Sequence, residues 1–350
     1  MWKCPVCDQE NNAATVCPAC GYDRTCDYEQ YPTAFAVTTA TPTRILRRQW
    51  QAKQGPELAE LIADWYDAPQ DPAAAEHCFR RLADGGNPAA QWWLGIACAQ
   101  GRGAEKDEAQ ALEWFSRSAR QGYARAQYQL GLCFQDGAGV DADPRKALDW
   151  FRQAAAQGFA PAQTELGECY CFGWGVKTDK AQAAQWYQKA AEQGHAQAQY
   201  RLGNHYRYGW GVEKDPVQAA QWYRKAAEQG HAKAQRNLGL CYEYGRGVEK
   251  NPVRAAQWYR KAADQGYAKA QDKLGDCYYF GRGVEQDYAQ AVQWYQKAAD
   301  QDNSWAQYSL GHCYYHGQGV EQDYAQAVQW YQKAAQQGNT DAQRALADLL

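Results

Sequence analysis

The sequence has little serine, no long apolar run and no large excess of either charge. Its serines begin no Ser-x-x-Lys, and no Gly-x-Ser-x-Gly, phosphate-binding loop or His-Glu-x-x-His is present. No stretch approaches the roughly 20 apolar residues that cross a bilayer. The net charge is -3 at pH 7, so the chain lacks the overall basic field that neutralises nucleic-acid phosphates. These absences argue against common hydrolases, a membrane span and general nucleic-acid binding.

The N-terminal residues 1–5 contain no apolar segment of the secretory type, so we expect a cytoplasmic protein. The 13 cysteines fit a reducing compartment as well. Equivalent helices of stacked repeats lie roughly 10 Å apart, whereas a disulfide needs Cα atoms within about 7 Å. We therefore predict buried thiols at the five cysteines that share one phase of a 36-residue period, which are Cys133, Cys169, Cys241, Cys277 and Cys313.

A 36-residue repeat dominates the chain. Tryptophan recurs at this spacing, at Trp114, Trp150, Trp186, Trp222, Trp258, Trp294 and Trp330. Seven copies of the surrounding pattern run from about residue 87 to residue 338. Such regularity indicates one supersecondary unit that is stacked in series, because a single unit cannot bury its own apolar face.

Each unit contains two predicted helices. In residues 196–230, apolar side chains follow the helical period twice, first at Ala198, Leu202 and Tyr206 and then at Ala219, Trp222, Tyr223 and Ala226. Asp215 and Pro216 suit the start of the second helix. Gly230 suits its end, and Gly209 and Gly211 bracket a loop that needs positive φ or a close backbone approach.

The chain resembles the Sel-1-like repeat family, which is related to the tetratricopeptide repeat. The resemblance is carried by Ala-x-Ala-Gln-x-x-Leu-Gly-x-Cys-Tyr, Gly-x-Gly-Val-x-x-Asp and Ala-x-x-Trp-Tyr-x-x-Ala-Ala-x-x-Gly, over roughly 250 of the 350 residues. It implies an all-α, right-handed α/α solenoid of about seven helix-turn-helix repeats. It also implies a non-enzymatic scaffold or adaptor that binds a partner protein or peptide.

Both ends depart from the repeat. Residues 50–86 keep its phase only partly, with Cys78 at the tryptophan position, so we predict a degenerate capping repeat there. Residues 87–338 form the seven repeats, and residues 339–350 are predicted to form a closing helix. Residues 27–49 have the composition of a linker.

Residues 1–26 contain a metal-binding pattern. The pairs Cys4/Cys7 and Cys17/Cys20 are two C-x2-C knuckles separated by nine residues. Two such knuckles complete a closed tetrahedral site of four thiolates, which is typical of one structural zinc ion. The segment resembles short bacterial zinc ribbons; rubredoxin-like iron is the alternative because the same geometry accepts it. Cys26 lies outside the pattern.

The resemblance also indicates a binding groove. In tetratricopeptide-like solenoids the first helix of each unit lines the concave side, at positions counted from the leucine of Leu-Gly. Two residues before it are Trp92, Tyr128, Thr164, Tyr200, Arg236, Asp272 and Tyr308. Two residues after it are Glu168, Asn204, Leu240, Asp276 and His312. Five and six residues after it are Phe172, Arg207, Tyr208, Glu243, Tyr244, Tyr279, Phe280, Tyr315 and His316.

This set is rich in aromatic residues, a composition typical of protein interfaces. The alternative is that several of the rings pack between repeats and only enlarge the core. Trp174 and Trp210, in loops between helices, are a second candidate for exposed aromatic contacts. His312, His316 and Asp276 could together hold a metal ion.

Three functions remain open at this stage. The favoured one is an adaptor that binds a partner in the groove, with membranes excluded and nucleic acid a less favoured partner. The second is a nucleic-acid-associated regulator that acts through the zinc module. The third is a β-lactamase-like enzyme, described for secreted relatives that carry paired cysteines in each repeat. The sequence identifies neither the partner, nor the process, nor the oligomeric state.

Overall fold

A computed structural model describes the backbone of Trp2–Lys3 and Glu10–Asn11, residue 80, and residues 82–101 and 105–349. The chain forms two compact units, Met1–Thr178 and Asp179–Leu350. Apart from the four strand residues, the predicted zinc module (1–26) and linker (27–49) lie outside the described residues. Most of the predicted capping repeat (50–86) does so too.

The first unit holds a short strand pair and a series of helices. Strand β1 (Trp2–Lys3) pairs antiparallel with β2 (Glu10–Asn11). The helices are α1 (Pro88–Gln100), α2 (Glu108–Arg120), α3 (Ala124–Asp136), α4 (Pro144–Ala156) and α5 (Ala160–Phe172). Consecutive helices of this series pack against each other.

The second unit continues the pattern of alternating first and second helices. Its helices are α6 (Lys180–Glu192), α7 (Ala196–Tyr208), α8 (Pro216–Glu228), α9 (Ala232–Tyr244), α10 (Pro252–Asp264), α11 (Ala268–Phe280), α12 (Tyr288–Ala299), α13 (Ser304–His316), α14 (Tyr324–Gln336) and α15 (Thr340–Leu349). Again each helix packs on the next. The all-α repeat solenoid predicted from the sequence is confirmed, and α15 lies where a closing helix is expected.

The predicted helix boundaries are confirmed by the capping contacts. One Asp215 side-chain oxygen accepts the backbone N–H groups of Val217 and Gln218, at 2.8 and 3.0 Å, which satisfies two donors at the start of α8. Gly209 ends α7 in the left-handed conformation, with φ of 71°. In every complete hairpin a glycine ends the first helix and a side-chain oxygen caps the start of the second helix. These two signals recur every 36 residues because each hairpin needs both of them.

The core is shared by both helices of each hairpin, and its largest buried side chains are aromatic residues of the second helices. The aromatic residue that follows each repeated tryptophan is buried, and Tyr223, Tyr259 and Tyr295 are at most 1% exposed. The glycine of Leu-Gly makes room for this ring: a Cβ atom on Gly239 would lie 2.5 Å from Cε1 of Tyr259. Because that distance is far inside van der Waals contact, the motif places glycine in the middle of a helix.

A buried glutamine connects successive repeats. Gln235 on α9 donates its side-chain amide to the carbonyl of Ala227 on α8, at 3.1 Å. Its own Oε1 accepts from Gln265, which follows α10, at 2.7 Å. The same bonds recur at other repeats of the second unit. Each Ala-Gln step of the motif therefore stabilises the stacking of three helices, with its polar groups satisfied.

The periodic cysteines are confirmed as buried free thiols. Burial raises the pKa of Cys133 to about 11 and that of Cys313 to about 12. Such thiols are protonated at neutral pH and therefore behave as small apolar side chains. Within residues 82–101 and 105–349, no helix has the length and apolar character needed to span a membrane.

Candidate partner-binding surface

In the first unit, the predicted groove residues differ in exposure. Trp92 packs edge-on against Tyr123, with ring centroids 6.1 Å apart, and Tyr128 does the same with Phe159 at 5.5 Å. Glu168 is buried, at 4% exposure, and so does not offer its carboxylate to a partner. Here only Phe172 is a largely exposed member of the predicted set.

In the second unit, the position two residues before Leu-Gly is largely a packing position. Tyr200 stacks on His231, with ring centroids 4.8 Å apart, and Tyr308 lies 5.7 Å from Tyr331. Tyr200 therefore packs on the N-cap residue of α9, and Tyr308 packs on the second helix of its own hairpin, so both rings enlarge the core instead of facing a partner. Arg236 and Asp272 replace the ring in two repeats, and Asp272 is buried.

The position six residues after the leucine is different, because its rings face solvent. Tyr208, Tyr244 and Phe280 are 50–52% exposed, and we name these three residues the exposed aromatic row. Each ring is supported from the loop that follows: Trp210 stacks on Tyr208 at 4.7 Å. Arginine takes that place in the next two repeats, 4.8 Å from the Tyr244 ring and 4.4 Å from the Phe280 ring.

Phe172 in the first unit has the same geometry, since it stacks on Trp174 with centroids 5.3 Å apart. The two loop tryptophans are themselves 37–42% exposed. The groove candidates and the loop candidates of the sequence are thus partners in one arrangement. Stacking holds each exposed ring in place, so less side-chain conformational entropy would be lost when a partner binds.

The buried tyrosines of the second helices reach this same face with their hydroxyl groups. Tyr223 donates to Oδ1 of Asn204 at 2.7 Å, Tyr259 donates to Glu243, and Tyr295 donates to Asp276 at 3.0 Å. Burial, followed by the hydrogen bond to Glu243, raises the pKa of Tyr259. Neutral tyrosines therefore position the polar side chains of the first helices.

A charged group lies between α9 and α11. Lys273 contacts Asp276 at 2.7 Å, and a cavity of 630 Å³ is lined by both residues together with Arg236 and Asp272. Burial, followed by repulsion from Asp276, raises the pKa of Asp272 to about 7. Burial opposes the charge of Lys273, but the Asp276 carboxylate raises its pKa. The charge of this group therefore changes near neutral pH.

The three-residue metal site of the sequence does not form. The carboxylate of Asp276 is taken by Lys273 and Tyr295, and His312 instead lies 3.3 Å from the Tyr279 hydroxyl and next to His316. Among the residues that the structure describes, no group of three His, Cys, Asp or Glu side chains could hold a metal ion. Burial and the neighbouring His316 lower the pKa of His312.

Some residues of this face were not predicted. Lys214 and Arg246 lie in loops, and Asn237 lies on α9, where they line a cavity with Arg207 and Tyr208. The sequence could have indicated the two loop residues, because some other repeats have uncharged residues at the equivalent positions. The resemblance to groove-lining first helices left the loops out.

The pattern of repeats matches a known family model. The Sel1 repeat model matches residues 64–87, 88–123, 124–159, 160–195, 196–231, 232–267, 268–303 and 306–339. The chain belongs to the Sel1 repeat family. Six of these matches begin at the first residue of a first helix, so the Sel1 repeat is the helical hairpin described here. The match at 64–87 falls in the segment with the predicted degenerate repeat.

Solved structures give the same result. The chain is 35% identical to c5321, a protective antigen of uropathogenic Escherichia coli with an SLR fold, with a TM-score of 0.74 over 87% of this chain and 66% of that one. It spans about two thirds of the length of that antigen. A Sel1 repeat protein from Oxalobacter formigenes is 36% identical, with a TM-score of 0.63 over 87% of this chain and 89% of that one. No curated protein sequence matches. Sel1 repeat proteins are generally scaffolds for protein–protein interaction.

Proposed function

We propose that this Sel1 repeat chain is a non-enzymatic adaptor that binds a partner protein or peptide on the face of its first helices. The observation that carries the proposal is the exposed aromatic row, Tyr208, Tyr244 and Phe280. Its rings are half-exposed, evenly spaced along the repeats and fixed by stacking from the loops. The few residues that supply most of the binding energy at protein interfaces are enriched in tyrosine, tryptophan and arginine.

The test is an affinity pull-down with the triple variant Tyr208→Ala, Tyr244→Ala and Phe280→Ala. We expect partner capture to fall at least about tenfold, because the loss of even one hot-spot ring costs about 2 kcal/mol or more. Tyr200 is left intact, since its stacking on His231 gives it a structural role. Circular dichroism checks that the variant stays helical.

A matched control removes exposed apolar side chains from the second helices instead. Val217, Val253 and Tyr324 are 49–54% exposed, which is close to the exposure of the aromatic row. Their triple alanine variant should retain the partner that the first variant loses. Equal loss with both variants, or retention with both, would show that the first-helix face is not the binding surface. Loss only on deletion of residues 1–26 would assign recognition to the N-terminal module.

For that module we propose one structural zinc ion held by Cys4, Cys7, Cys17 and Cys20. The spacing of the four cysteines supports this, and strands β1 and β2 bracket the first Cys pair in sequence. We expect about one zinc ion for each chain by mass spectrometry of the metal content. Cys4→Ser with Cys17→Ser should abolish it, whereas Cys26→Ser should retain it. Iron in place of zinc, or metal that survives the double variant, would refute the assignment.

A further inference from the structure

A second feature of the first-helix face is a cavity between α7, α8 and α9. It has a volume of 330 Å³, and its walls include Tyr208 of the exposed aromatic row and the side chain of Leu240. The charged residues that line it are Arg207, Lys214 and Arg246, and no aspartate or glutamate lines it. The cavity is therefore positively charged in a chain whose net charge is negative.

These three cations are not neutralised by the fold. In the part of the chain that the structure describes, none of them forms an ion pair with a carboxylate. Arg207 and Arg246 are instead held over aromatic rings, with Cζ 5.0 Å from the centroid of Tyr208 and 4.8 Å from that of Tyr244. Ring contacts position a guanidinium group and leave its charge uncompensated.

The other repeats show that the fold does not need these charges. One repeat later the equivalent residues are Glu243, Lys250 and Arg282, and two repeats later they are Tyr279, Gln286 and Gln318. The hairpins have the same caps and the same packing in each case. The framework therefore forms without this combination of three cations, and the packing of the repeats does not explain why they lie together.

We infer that this cavity binds an acidic segment of the partner protein, with a carboxylate between the three cations and an apolar side chain against Tyr208 and Leu240. The inference rests on the proposed adaptor function and specifies the chemistry of the partner. The cavity has the size of a single side chain with its neighbouring backbone, at about the low end of ligand pockets. Charge complementarity of this kind gives specificity and fast association.

A peptide is favoured over a nucleic acid by what lies next to the cavity. The adjoining cavity, 480 Å³ in volume, is lined by Glu243 and Asp276 as well as by cations. A phosphate backbone that continued along the face would meet these carboxylates at its next nucleotides. A peptide can place one acidic residue in the positive cavity and a different residue in the mixed one.

The test measures fluorescence anisotropy with the full chain and a labelled peptide of four glutamates around a central leucine. We expect it to bind at least about tenfold more tightly than the same peptide with glutamine in place of glutamate. Arg207→Gln, Lys214→Gln and Arg246→Gln together should remove that preference. Arg246→Gln alone, at an exposed position, should weaken it about threefold or more without any effect on folding.

A matched control removes three charges elsewhere. Lys225, Lys261 and Lys297 lie over tryptophans of the second helices, and their change to glutamine alters the net charge by the same amount. This variant should bind the acidic peptide about as well as the original chain. Equal affinity for the two peptides, or equal loss with both triple variants, would overturn the inference. So would tighter binding of a labelled single-stranded oligonucleotide that depends on the same three cations.

Failure of this inference can be told apart from failure of the adaptor function. If the peptides do not distinguish charge but the pull-down partner is still lost with the aromatic-row variant, the partner binds without an acidic contact. In that case the positive cavity is not part of the interface, and the assignment of its ligand is wrong.

Discussion

Gly247→Ala is expected to destabilise the fold by about 3–4 kcal/mol, as a loss in the free energy of unfolding. Gly247 has a φ of 73°, which costs an L-residue about 1 kcal/mol or more. A Cβ atom at this position would also collide with the carbonyl group of Pro216 in the preceding repeat. The carbonyl group of Pro216 belongs to the backbone at the start of α8. The clash therefore cannot be relieved by the movement of a side chain.

The chain provides a control in which only one of these two causes acts. Gly266 follows α10 with a φ of 83°, yet a Cβ atom there would meet nothing within 4 Å. Gly266→Ala should therefore cost only about 1 kcal/mol, from backbone strain alone. Urea denaturation followed by circular dichroism measures both variants. Equal losses would mean that the contact between the Gly-x-Gly loop and the previous repeat does not contribute to stability.

The glycines of the loop between the two helices illustrate what a repeated sequence can predict. The need for glycine at Gly209 and Gly211 follows from their place in a loop between two helices; positive φ is confirmed at both positions, and close backbone approach at Gly211. The helices, their caps and the buried thiols could be predicted for the same reason. Each depends on local periodicity and capping, which the sequence states seven times.

The candidate surface was less predictable, because exposure depends on the neighbouring repeat as well as on the local pattern. Tyr200 and Tyr208 are both groove candidates by position. Tyr200 is half-buried because His231, the N-cap residue of α9, covers its ring, while Tyr208 is supported only by Arg207 beside it and by Trp210 in the loop that follows. Glu168 shows the same limit, since a polar residue at a predicted groove position is buried.

The charge of the surface was also beyond simple pattern analysis. The three cations of the positive cavity come from a first helix and from two different loops. Lys214 follows Arg207 by 7 residues, and Arg246 follows Lys214 by 32 residues. Only the stacking of one hairpin on the next places their side chains around one space. The pKa of Asp272 depends in the same way on burial and on its neighbour Asp276.

The stability of the fold should depend on Asp272 and on pH in a defined direction. In the unfolded chain this carboxyl group has its ordinary pKa of 3.8, whereas burial first and Asp276 second raise it to about 7 in the folded state. Between these values the folded state binds more protons than the unfolded state. The contribution of Asp272 to the free energy of unfolding therefore falls as pH rises from about 4 to about 7.

Asp272→Asn removes this penalty because the amide does not ionise. The free energy of unfolding of the variant, measured relative to that of the original chain, should rise by about 2–3 kcal/mol from pH 5 to pH 8. Urea denaturation at each pH measures this difference. Burial also lowers the pKa values of His205 and His231, so their contribution to stability falls as pH falls, but both histidines are present in both chains and cancel in the difference. Asp264→Asn, at an exposed position at the end of α10, matches the change of charge.

Comparing the stability change of Asp272→Asn at pH 5 with its change at pH 8 shows whether ionisation of the carboxyl group or altered packing causes it. If Asp272→Asn changed stability equally at pH 5 and pH 8, its effect would come from altered contacts with Arg236 or Lys273, and the carboxyl group would not titrate near neutral pH. A gain that appears only as pH rises would instead mean that the fold holds a buried carboxylate at a cost. Residues held at such a cost to stability cluster at functional sites. That result would favour a role for the Arg236–Asp272–Lys273 group in binding, since the packing of Leu-Gly and the glutamine contacts stabilise the repeats without it.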